Sequence, residues 1–155
     1  MNSSVNLGTL LSEDQIIPHM VATERWQALE EIVSFLVKQG SIKEADQGSV
    51  LAALHQREET MSTGIGFGIA IPHASCDSIK KVVVAFGRSE QGIEFESLDE
   101  KPVHFVVLFL VPQDQYQTHL KTLSAIAKFL NNRVTREELT VAPDAKAIIK
   151  ILNRE

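Results

Sequence analysis

Apolar residues recur with helical spacing along the first part of the chain. Trp26, Leu29, Val33 and Leu36 form one stripe. Thr23 offers a cap before it and Gly40 a stop after it. Ser41 and Glu44 then stand at capping-box spacing and predict a second helix over roughly 42–59. Its apolar line is Val50, Ala53 and Leu54. Arg57 continues that line, which aims an arginine inward or toward a cleft. The period then changes to two in "GIGFGIAIPHASCD", residues 64–77. Gly64, Gly66, Gly68 and Ala70 fall on one side of an extended chain. Ile65, Phe67, Ile69 and Ile71 fall on the other, which is expected to anchor in the core. Pro72 fixes its own φ and pushes Ile71 into an extended conformation, so His73 is expected at a stiff strand end beside an open surface.

Two unbroken apolar runs follow, "KVVVAF" at 81–86 and "VHFVVLFLV" at 103–111. Both are rich in β-branched residues, as in strands covered on both faces. Asp114 and Gln117 have cap spacing for a helix carrying Tyr116, Leu120, Leu123, Ala127 and Leu130. Thr135 and Glu138 repeat the capping box for a short helix. Pro143 and Asp144 open a last one. Helices on either side of a group of buried strands predict one α/β layer sandwich with helices on both faces.

The bulk numbers narrow the picture. The chain has 155 residues, which suits one domain over 1–155. Net charge is −5 without a basic run, so the electrostatic footprint of a nucleic-acid binder is missing. Cys76 is the sole cysteine, which excludes an intrachain disulfide and fits a reducing, cytoplasmic setting. The start "MNSSVNLGTLLSEDQ" has neither a basic opening nor a long apolar stretch, unlike a signal peptide. The longest fully apolar run, "FVVLFLV", is far short of the ~20 residues that a membrane span requires, so no direct membrane insertion is expected.

Generic chemistry accounts poorly for the glycine stretch. A P-loop ends in Gly-Lys-[Ser/Thr], and no lysine follows Gly68. The dinucleotide fingerprint fails at Ile69, where its last glycine should be. His73 and Cys76 are three apart, but one such pair lacks the further ligands of a zinc site. No G-x-S-x-G elbow occurs. The motifs therefore call for no cofactor and no metal. Spacing alone leaves two readings of His73: a residue that ends a strand, or a nucleophile held rigidly at a surface.

The segment Glu58 to Ala74, "EETMSTGIGFGIAIPHA", resembles the active-site signature of the fructose/mannitol-type enzyme IIA proteins of the bacterial phosphoenolpyruvate-dependent phosphotransferase system. An acidic residue, Glu58, lies seven before the apolar-Gly pair Ile65-Gly66. Ile69-Ala70-Ile71-Pro72-His73-Ala74 completes the pattern. Length and element order are similar throughout, with the free-standing nitrogen-regulatory branch in particular. The resemblance implies a single mixed β-sheet with helices on both faces, in the mannitol/fructose enzyme IIA manner. It implies that His73 receives a phosphoryl group on Nε2 from the small histidine phosphocarrier protein, so that Nδ1 keeps its proton and needs an acceptor. It also implies His119, in "THL", as a second active-site histidine, and Arg57, sixteen before His73, as a neighbour of the phosphoryl group. Arg57 would supply charged donors and His119 one more, while the glycine side would let the donor protein approach.

Alternatives remain at this point. Arg57 could cap its helix, and His119 could be an ordinary helix histidine. His19, His55 and His104 show no partner spacing and read as structural or surface residues. Cys76 reads as an incidental thiol. The job within the system could be regulatory, or it could be transfer to an enzyme IIB and a sugar; the lack of a fused enzyme IIB or membrane segment favours the regulator. A module that keeps the fold without being phosphorylated is a third reading, which the intact trio disfavours.

Overall fold

A computed structural model describes residues 10–153. The first residues of the N-terminal stretch, read above as unlike a leader, lie outside the described residues. The core is one six-stranded mixed sheet. Its strands are β1 (Ile16–Ile17), β2 (Gly64–Gly66), β3 (Ile69–Ala70), β4 (His73–Cys76), β5 (Val83–Ile93) and β6 (Val103–Pro112). β6 is central: β5 runs antiparallel on one side of it, and β3 and then β4 run parallel on the other. β1 extends the sheet beyond β5, and β2 beyond β3.

The two long runs are apolar throughout because each of their faces meets a helix layer. Ala85, Val106, Leu108 and Leu110 face one core with Leu29, Ile32, Leu36, Val50 and Leu54 of α1 (Arg25–Lys38) and α2 (Gln47–Thr60). Val84, Phe86, Val107 and Phe109 face the other core. There they meet Ile126 and Leu130 of α3 (Leu120–Leu130), Leu139 of α4 (Arg133–Val141), and Ile148 and Leu152 of α5 (Ala145–Leu152). Among the described residues, no helix is long and apolar enough to cross a membrane.

Several boundaries differ from expectation for local reasons. Glu24, not Thr23, caps α1, because its carboxylate accepts from two amides, those of Trp26 and Gln27. The Ser41 box is not used: the Ser41 amide bonds to Leu36 within the end of α1, and a 3-10 turn at Glu44–Asp46 precedes α2. Asn132 caps α4 through the Thr135 amide, so this helix begins before its expected capping box. Asp144 caps α5 as expected. β5 runs on to Ile93 through polar sequence, because Arg88 is buried there and donates to the carbonyls of Pro18, Leu139 and Ala142.

The glycine stretch departs most from its pattern. β2 and β3 form a tight hairpin whose turn, Gly66-Phe67-Gly68, holds three successive positive φ values of 102°, 59° and 78°. The turn and a register shift at Gly64/Gly66 reverse the expected facing. Ile65 and Phe67 are 38% and 62% exposed, and only Ile69 and Ile71 reach the core. Of the glycines on this side, Gly64 is packed tightly against Ser97, while Gly66 lies opposite Asp99 and Gly68 beside His104 at ordinary contact distance. A methyl at Gly64 would overlap the Ser97 hydroxyl and sit 3.1 Å from its α-carbon. Gly64→Ala is therefore expected to cost about 1–3 kcal/mol by overpacking, read as a lowered Tm. An unchanged Tm would show that the 97–99 segment yields freely.

Candidate active site

The site is built where the β3–β4 strand breaks. Ile71 and Pro72 interrupt the pairing with β6 between two short parallel stretches. His73 then opens β4 opposite Phe109. Its Nδ1 lies 2.8 Å from the Ile71 carbonyl oxygen. A carbonyl only accepts, so Nδ1 carries the proton and donates, leaving the lone pair on Nε2. The acceptor that a nucleophilic Nε2 requires on the other nitrogen is thus supplied by the backbone two residues earlier.

His73 lines a cavity of about 300 Å³ with Arg57, Gln56, Thr60, Ser75 and Tyr116. Burial pulls its pKa below the usual imidazole value, and the positive charge of Arg57 acts in the same direction; the bond to Ile71 and the negative charge of Glu58 oppose them. The folded chain therefore binds this proton more weakly than the unfolded chain. The resulting stability is fully present above about pH 6.5 and declines as pH falls through that value toward the lower folded pKa. In an NMR titration the His73 ring should turn cationic below about pH 6.5. A midpoint above it would mean that the Ile71 bond and Glu58 outweigh burial and Arg57.

Arg57 sits on the last turn of α2, beside rather than on its buried line, which is Val50, Leu54 and Glu58. Its Nη1 donates to the Met61 carbonyl at 2.8 Å. It caps its helix end and also lines the His73 cavity. Among the described residues this is its only hydrogen bond.

His119 is not one turn into a helix. The Asp114 cap does not form, and two 3-10 turns, Gln113–Gln115 and Gln117–His119, precede α3. His119 itself takes the N-cap position of α3. Its ring packs against Phe109, the register partner of His73, with centroids 5.8 Å apart. Among the described residues its Nδ1 is buried without a hydrogen-bond partner. His119 does not line the His73 cavity. The ring beside His73 is Tyr116, nearly parallel to it at 6.3 Å. The sequence pattern had assigned Tyr116 to a core stripe.

Two of the other histidines have structural settings, and His19 is exposed. His55 packs on Trp26, and the His104 Nδ1 lies 2.8 Å from the Ser89 carbonyl. Cys76 is buried on β4, and burial, with Asp77 nearby, pushes its thiol pKa up, which makes it a poor nucleophile at neutral pH.

The family model for the phosphoenolpyruvate-dependent sugar phosphotransferase system, EIIA 2, matches residues 9–155. The chain belongs to this enzyme IIA type 2 family. It is 37% identical over 145 residues to the fructose-specific EIIABC component of Bacillus subtilis, covering 94% of this chain and 22% of that much longer protein. It is 33% identical over 143 residues to a nitrogen regulatory protein of Bradyrhizobium diazoefficiens, covering 92% of each. The fold matches the crystal structure of nitrogen regulatory protein IIA-Ntr from Neisseria meningitidis with a TM-score of 0.85 at 30% identity, covering 94% of this chain and 98% of that one. As a member of this family the chain is a phosphotransferase-system component with an enzyme IIA fold.

Proposed function

We propose that the chain is a phosphohistidine carrier in which the Nε2 of His73 accepts a phosphoryl group from the phosphohistidine of the small histidine phosphocarrier protein. The Nε2 lone pair forms the new N–P bond. The donor's P–N bond breaks, and its electron pair returns to the donor imidazole. Such transfer asks the protein mainly for in-line positioning and charge stabilisation. Arg57 supplies the charge, with its Nη1 steadied on Met61 and its other N–H groups available to phosphoryl oxygens. A donor role for His119 would require its ring, now packed on Phe109, to turn into the cavity that it does not line here. The observation that carries this reading is the Nδ1–H bond to Ile71, which leaves the Nε2 lone pair of a histidine that lines a cavity with an arginine.

The reading is tested with enzyme I, the carrier protein and labelled phosphoenolpyruvate, followed by mapping of phosphohistidine. Label on His73 supports it. No uptake would leave a non-phosphorylated interaction module.

The regulatory role, in which phosphorylation decides which proteins are bound, is favoured by near full-length similarity to nitrogen regulatory relatives. A sugar-specific role, with onward transfer to an enzyme IIB, is the second reading and has the 37% identity to a fructose-specific component behind it. Mixing the phosphorylated chain with a fructose-type enzyme IIB separates the two: rapid loss of label to enzyme IIB selects the sugar role, and retention selects the regulator.

A further inference from the structure

Glu58 is a carboxylate at a core position. It follows Arg57 on α2, continues the line of Val50 and Leu54, and is only 1% exposed. An aliphatic side chain would be the cheaper occupant, since a buried carboxylate loses its hydration and must be re-paired. Its partners are specific. One oxygen accepts from the Thr63 amide at 2.8 Å, and the other accepts from the Thr63 hydroxyl at 2.6 Å. Arg25 Nη1 stands 3.6 Å away as counter-charge, and Arg25 also reaches Glu96.

Thr63 in turn holds the strand that carries His73. Its carbonyl accepts from the Ile71 amide at 3.0 Å. One peptide further on, the Pro72 carbonyl accepts from the Phe109 amide at 2.9 Å. Pro72 itself has a fixed φ and no N–H. Ile71 is thus fixed on both sides, and the carbonyl between these two anchors is the one that receives the His73 Nδ1 proton. Which imidazole nitrogen holds the proton is set by the bond that the other one makes.

We propose that Glu58 is a positioning residue for His73: its carboxylate holds Thr63, Thr63 holds the Ile71 amide, and the Ile71 carbonyl holds the Nδ1 proton. The buried glutamate then selects, from two residues' remove, the tautomer that presents a lone pair at Nε2. This rests on the reading of His73 as the phosphoryl acceptor.

The test uses the full chain with Glu58→Ala, Glu58→Gln and Thr63→Val. Ring nitrogen-15 NMR gives the His73 tautomer, and phosphate uptake gives the rate. The tautomer readout needs no phosphotransfer, so the positioning role can be decided even if His73 proves not to be phosphorylated. In Glu58→Ala the Nε2–H tautomer should gain population and uptake should slow roughly tenfold, the effect of losing one well-placed hydrogen bond. Glu58→Gln should recover most of that loss, because its carbonyl can still accept from the Thr63 amide and its NH2 can donate to the hydroxyl. Thr63→Val keeps the amide anchor, loses the hydroxyl and should show part of both effects. Should Glu58→Ala not fold, Thr63→Val and Glu58→Gln carry the test. Slower uptake with the wild-type tautomer, or a wild-type tautomer in Thr63→Val with Glu58→Ala unfolded, would reduce Glu58 to a purely structural residue and overturn the proposal. Glu58→Gln as impaired as Glu58→Ala would assign the effect to charge and overturn it too.

Discussion

His73→Ala is expected to take up no phosphate at all from labelled phosphoenolpyruvate through enzyme I and the carrier protein. Nothing else in the cavity can replace it. The hydroxyls that line it, of Thr60, Ser75 and Tyr116, are far weaker nucleophiles at neutral pH than a neutral imidazole, and Cys76, outside the lining, is buried on β4 with a raised pKa. Removing the nucleophile of an enzyme that works by covalent transfer can cost up to about a millionfold, which here means label below detection. The fold should survive. The substitution removes one bond to the Ile71 carbonyl, about 0.5–1.5 kcal/mol, and a ring contact with Tyr116 of similar size. It also removes a group whose protonation is suppressed in the folded state, so the decline in stability below pH 6.5 should soften. The measurements are acid-labile, base-stable label and a melting curve at two pH values. Label that persists in the folded variant, on His119 or elsewhere, would refute the assignment.

How much of this was legible depended on the distance over which each cause acts. β5 and β6 were readable because burial on both faces leaves an unmistakable run of β-branched residues. His73 was readable because Pro72, directly before it, dictates the local backbone. Arg57 was expected on the apolar line of α2 and lies beside it, because that line runs on to the buried Glu58 instead. The reversal at Phe67 was not readable: alternation says which residues share a face, but a turn with three positive φ values resets which face is inside. Cap positions slipped because several oxygens compete for the same free amides, and Glu24 took those that Thr23 was expected to serve. Glu58 was quoted within the signature, but nothing local reveals its burial. A glutamate near a helix end reads as solvated until Arg25, thirty-three residues earlier in the sequence, is folded against it. Tyr116 does pack against the core on the α3 side, as its period says, but its place beside His73 was hidden for a related reason. It shares the period of the α3 stripe, yet it precedes the helix in a 3-10 region and turns its ring toward His73.

Arg57→Ala should separate the helix-capping role of this residue from its proposed role toward the phosphoryl group. As a cap, the guanidinium satisfies the Met61 carbonyl, and losing that bond should cost about 0.5–1.5 kcal/mol of stability. As part of the cavity, it stands where phosphoryl oxygens would sit beside His73. Hydrogen bonds to charged groups contribute about 1.5–3 kcal/mol, so uptake should slow roughly ten- to a hundredfold at 1.4 kcal/mol per factor of ten. The pH dependence provides an independent readout. The Arg57 charge holds the His73 pKa down, so in Arg57→Ala the imidazole should titrate at higher pH, and the acid limb of the uptake profile should move up with it. Arg57→Lys should restore the charge and most of the pH profile but little of the rate. One ammonium cannot hold the Met61 carbonyl and also present the planar pair of donors that matches a phosphoryl group. Uptake kinetics, NMR titration and melting curves on both variants decide it. Wild-type uptake and an unshifted His73 titration, with only Tm lowered, would leave Arg57 as a helix cap whose proximity to His73 has no chemical consequence.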